Sequence, residues 1–132
     1  LIFTVKTYST IVSINNQKTT ISFDPDDIEE QGINLDTLCK FINKQVNWII
    51  KNETTIKSKI IEDLFSLANE WNTDDSIPLT KELFKTQLKL NYLDFFSLES
   101  CFIDYHVGEI FAGHGVNINL SSDKKLDEAQ MG

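Results

Sequence analysis

The period of the hydrophobic pattern changes twice along this chain, and that change restricts the fold more than any other feature of the sequence. Near the start the apolar residues fall at alternate positions. Phe3-Thr4-Val5-Lys6-Thr7-Tyr8 leads with them, and Ile11-Val12-Ser13-Ile14 follows after a short break. Asn15-Asn16-Gln17 reads as a tight turn, because Asn tolerates the left-handed backbone of a hairpin, and Thr19-Thr20-Ile21-Ser22-Phe23 alternates again. A period of two marks strands with one face on a core.

The middle of the chain changes to three- and four-residue steps. Leu35, Leu38, Ile42, Val46 and Ile49 form one amphipathic stripe, with Asn34 as its N-cap. Ile56, Ile60, Leu64, Leu67, Ala68 and Trp71 form the next, with Asn52 as cap and Glu53 well placed for the helix dipole. Only Lys51-Asn52 separates the stripes, so two helices packed as an antiparallel pair are expected. Thr80 caps a short third helix, with Leu79 and Phe84 spaced as a staple.

From Leu88 the period returns to two. Leu88, Leu90 and Tyr92 share a side, and Leu93 and Phe95 indicate a bulge or change of face. Cys101, Ile103, Tyr105 and Val107 alternate with Phe102, Asp104 and His106; Val116, Ile118 and Leu120 follow, with one more edge strand near the end. Strands, helices, then strands describe an α+β domain spanning residues 1–132. The expected architecture is an antiparallel sheet of five to six strands, covered on one face by two longer helices and one short helix. Its order is β-β-(β)-α-α-α-β-β-β-(β).

Charge excludes several functions. The net charge is -8, and all twelve basic residues are Lys. Without Arg, an acidic chain has neither the planar fork that grips phosphates nor the potential that attracts them, so nucleic acid is excluded as a partner. An anionic membrane surface is disfavoured for the same reason, and no apolar run approaches the roughly 20 residues of a membrane span. A basic protein is the complementary partner. Cys39 and Cys101, far apart and among apolar neighbours, read as buried free thiols, which fits a reducing, cytoplasmic setting. Composition carries no signal for an oligomeric state.

Three places could carry chemistry. Asp24, Asp26, Asp27, Glu29 and Glu30 form an acidic run, read as a solvated loop leading into a helix. Its glycine and closing Glu are not where a calcium loop needs them. With Asp74 and Asp75 it offers a surface to a basic partner. Asp104, His106, Glu109 and His114 gather two imidazoles and two carboxylates within eleven positions, a composition suited to a transition metal or to acid–base work. Against that, Asp104 and His106 fall on the solvent face, His114 between two glycines reads as a turn residue bonded to backbone, and no metal-ligand spacing is present. Trp71 ends a helical stripe, where packing is its ordinary use and ligand contact its alternative. No Gly-x-Ser-x-Gly elbow or phosphate-cradling glycine loop occurs, and no metal or cofactor is expected.

Leu67-Ala68-Asn69-Glu70-Trp71, an acidic loop, Leu79-Thr80-Lys81-Glu82-Leu83-Phe84 and Glu109-Ile110-Phe111-Ala112-Gly113-His114 follow one another in the order seen in the bacterial domain-of-unknown-function family 2262. The opening hairpin, Phe3-Thr4-Val5 through Thr19-Thr20-Ile21-Ser22-Phe23-Asp24, resembles that family too, so the likeness covers nearly the whole chain. It departs at Ala112, where the family usually carries an aromatic residue, so a role resting on that ring has no carrier here. The resemblance implies no activity, cofactor or substrate. Because this domain often follows another in the family, and the chain opens on Leu1, a C-terminal domain of a longer protein is expected. Small acidic domains of this build also recur among immunity proteins that neutralise bacterial toxins, an analogy of fold alone. The expectation is therefore a non-enzymatic, immunity-like interaction module with an acidic surface. The alternative is a metal-dependent or acid/base hydrolase around Asp104, His106, Glu109 and His114.

Overall fold

The computed structural model describes residues 8–72 and 78–132. The expected strand over Phe3–Thr7 and the acidic pair Asp74 and Asp75 lie outside the described residues. The chain is α+β, with a six-stranded sheet in the order β1-β2-β3-β4-β5-β6. Strands β1 (Ser9–Ile14) and β2 (Gln17–Ser22) form the expected hairpin, and Asn15 and Asn16 at its tip take φ of 49° and 67°. Among the described residues three helices follow: α1 (Pro25–Glu30), α2 (Leu35–Trp71) and α3 (Lys81–Gln87). Strands β3 (Lys89–Asp94), β4 (Ser100–His106), β5 (Val116–Ser121) and the two-residue β6 (Gln130–Met131) complete the sheet.

The two expected helices are joined in one 37-residue run, Leu35–Trp71, with a kink at Asn52 where a tight connection and an antiparallel reversal are expected. Asn52, expected to cap a second helix, departs from helical geometry (φ -122°, ψ 20°), and two helical segments meet there at a kink. Its side-chain amide donates to the carbonyl of Trp48 at 2.9 Å, so the backbone group exposed at the bend is satisfied within the same helix. Neither Gly nor Pro is present there to reverse the chain. Ile49 before the kink and Ile56 and Ile60 after it are all fully buried, so both segments face the core.

The antiparallel expectation holds for four of the five strand pairs and fails for β2 and β3, which run parallel with Ile21 opposite Leu93. All three helices lie between these two strands in sequence. They form the long crossover that a parallel pair requires. A second departure is α1, where a loop is expected. Asp24 accepts a hydrogen bond from the Asp26 amide at 2.9 Å and Pro25 opens the first turn; buried Ile28 anchors the helix.

One face of the sheet carries the core. Ile14, Ile21, Leu93, Cys101, Ile103, Tyr105, Val116, Ile118 and Leu120 pack beneath α2, together with Phe84 from α3. Gln45, the one buried polar residue of α2, donates to the carbonyls of Leu120 and Ser121 at 3.1 and 3.2 Å and accepts from the Lys124 ammonium. The opposite face, with Thr20, Ser22, Tyr92, Asp94, Phe102, Asp104, Asn117 and Asn119, is half-exposed throughout. Among the described residues no helix is long and apolar enough to cross a membrane.

Candidate functional site

Strand β4 sorts its residues by parity. Cys101, Ile103 and Tyr105 are buried, and burial pushes the Cys101 thiol up to about 12, so this sulfur is packing rather than a nucleophile. Cys39 is half-buried, and both cysteines are free. Tyr105 reaches Glu53 of α2, donating its hydroxyl to the carboxylate at 3.0 Å; burial and then that carboxylate push its phenol upward. None of these groups is on the open side.

Asp104 and His106 lie on the open face. The Asp104 carboxylate accepts from the Asn91 amide at 2.8 Å. Burial raises its pKa, while the Asn91 hydrogen bond and the charge of His106 pull the other way. His106 is exposed at the end of its strand, and Glu109 is exposed in the turn beyond. His114 is held elsewhere. Its Nδ1 donates to the Gly132 carbonyl oxygen at 3.0 Å, and its ring meets Trp71 edge-on at 6.0 Å. Trp71 packs in turn against Phe111 at 5.9 Å, at the C-terminal end of the helix that covers the other face. The four sequence-predicted residues are thus divided between an open sheet face and a helix-end turn. Among the described residues no group of three or more His, Cys, Asp or Glu is placed to hold a metal ion.

The acidic run gathers at one corner. All of Asp24, Asp26, Asp27, Glu29 and Glu30 are exposed on or beside α1. Asp24 and Asp26 line an open groove of about 590 Å³ together with Tyr8, Ser22, Phe23, Pro25 and Asp94. Asp26, Glu29 and Glu30 border a second hollow of about 440 Å³. Tyr8 is 64% exposed at this corner. The Gln31 side chain ties α1 to the loop after β3, donating to the Phe96 carbonyl at 2.7 Å.

Sequence reasoning missed Asp94, Tyr92 and Phe102. Asp94 accepts from the Ser22 hydroxyl at 3.2 Å across the parallel pair and thereby joins the acidic groove. Tyr92 and Phe102 stack on the open face, centroids 5.8 Å apart. The alternation of β4 places Phe102 on the polar face and could have singled it out. Asp94 and Tyr92 depend on the register between distant segments.

A family described as uncharacterised protein conserved in bacteria, DUF2262, matches residues 3–131. No curated protein and no solved structure matches the chain.

Proposed function

Since the chain belongs to the DUF2262 family of uncharacterised proteins conserved in bacteria, which lends it no activity, we propose from its own surface that it is a non-enzymatic, immunity-like interaction module receiving a basic protein partner at its acidic corner. The observation that carries this reading is the convergence of Asp24, Asp26 and Asp94 on one groove beside the exposed ring of Tyr8. Carboxylates gathered at an open groove steer a basic partner by long-range attraction, and the ring supplies apolar contact once it arrives. The overall charge of -8 strengthens the same field. The hydrolase alternative needs His106 and His114 at one reacting centre, and the tie of His114 to the Gly132 carbonyl and the Trp71 ring speaks against it.

The test compares proteins captured from a bacterial lysate by the native chain and by the triple variant Asp24→Asn, Asp26→Asn, Glu29→Gln. Asn at position 24 keeps the helix cap, so the variant should fold, which circular dichroism checks. The reading expects basic proteins enriched on the native chain and depleted at least threefold on the variant. Identical captures would contradict it.

A further inference from the structure

The open face of the sheet has a pattern that solvation alone does not require. In the register of β3 with β4, Tyr92 lies opposite Asp104 and Asp94 opposite Phe102. Two rings and two carboxylates therefore occupy the corners of a square, the rings on one diagonal and the carboxylates on the other. The rings are stacked with planes 28° apart. Each carboxylate is oriented by a neutral donor, Asp94 by Ser22 and Asp104 by Asn91. Among the described residues neither is in an ion pair; the three that form join Lys57 to Glu53, Lys59 to Asp63 and Lys125 to Asp123. The square thus holds two carboxylates that no lysine of the described residues pairs with, while the charge of His106 acts on Asp104 from the end of β4. Both carboxylates raise the Tyr92 phenol, after burial, as expected where their field falls on the ring.

Charge and shape together select an occupant. Aromatic faces flanked by carboxylates attract a cation carried on an apolar stem, through the ring quadrupole and the charge together. Thr20 stands beside Tyr92 in the next strand, and Ile11 beside Thr20, 69% exposed, which extends an apolar shoulder along the same row. A second copy of this acidic chain would bring like charges together. Asp94 also lines the groove with Asp24 and Asp26, so the square and the acidic corner are one continuous surface.

We propose that the uncovered sheet face docks a basic segment of a protein partner, with an arginine side chain seated on the Tyr92–Phe102 pair between Asp94 and Asp104. This rests on the acidic-interaction reading and gives it a specific seat. A guanidinium suits the seat better than an ammonium, because it stacks flat on rings while its edge donates to carboxylates on either side.

The experiment is calorimetric titration of the native chain with an acetylated, amidated Gly-Arg-Gly-Arg-Gly peptide at low ionic strength, with the lysine counterpart as control. Binding is expected, tighter for arginine. The double variant Asp94→Asn, Asp104→Asn should weaken it about tenfold, and Tyr92→Leu roughly threefold, with Tyr92→Phe restoring it. If binding is lost in the Asp24→Asn, Asp26→Asn variant but indifferent to the sheet-face changes, the seat is overturned and the acidic-corner reading stands. If Tyr92→Leu binds as the native chain does, the ring contact is overturned. An absence of binding by either peptide overturns the seat and counts against the acidic-partner reading as well.

Discussion

Gln45 and Asp104 are both polar side chains taken partly or wholly out of water, and the difference between them is charge. Gln45 is fully buried but neutral, and its amide spans two β5 carbonyls and the Lys124 ammonium, leaving nothing unsatisfied. Asp104 is only half-buried, yet its charge is disfavoured by that burial, and the single Asn91 amide does not fully offset the cost. The sign of its pH dependence follows. A carboxyl whose folded pKa is raised contributes stability that is present below its unfolded value and lost as pH rises through the folded one. At neutral pH the ionised Asp104 is therefore a net cost. Asp104→Asn keeps an acceptor for Asn91 and removes the charge. It should stabilise the domain at pH 7 by about 0.5 kcal/mol, a partly exposed charge being screened, and the gain should vanish below about pH 4. Denaturant titrations at the two pH values check this. A loss of stability equal at both would show the residue to be structural. A stabilising change that weakens arginine-peptide binding is the expected signature of a residue kept for contact.

Among the elements, α2 decides the architecture. Its two apolar stripes were legible in the sequence, as were the caps Asn34 and Thr80, because each rests on residues within a turn of one another. The break at Asn52 was legible, but its angle was not: the same residue can cap a separate, reversed helix or kink a continuous run. Spin labels at exposed Lys40 and Ser66 test the difference: a straight rod would put them at most about 39 Å apart, and the kink at Asn52 shortens that span. An antiparallel pair would bring them within about 20 Å. The register of β2 on β3 was hidden as well. It pairs segments separated by all three helices among the described residues, and no local pattern encodes such a pairing. Because Asp94 reaches the acidic groove only through that parallel pairing, the groove was half-legible: α1 carried Asp24 and Asp26 openly, while Asp94 and the Tyr92–Phe102 stack emerged with the fold. The helix α1 itself was readable from Asp24-Pro25, a cap followed by proline in the first turn, though the density of acidic residues masked the signal.

Over the whole molecule, the two sides of one sheet differ in composition. The side under α2 is apolar, and its reactive groups, Cys101 and Tyr105, are buried beyond use. The other side, with the corner at α1, carries exposed carboxylates, an exposed tyrosine and a stacked aromatic pair, a composition for contact. The histidines belong to neither arrangement as a pair: His106 ends a strand on the open side and His114 fastens the turn after β4 to Gly132 and Trp71. The claim that this domain binds rather than catalyses is tested most directly by zinc titration, followed through the imidazole ring signals of both histidines by NMR. The account predicts no tight one-to-one zinc binding and no zinc-induced shift shared by the His106 and His114 rings. Stoichiometric binding that shifts both rings together would contradict it and move the site to the Asp104–His114 stretch.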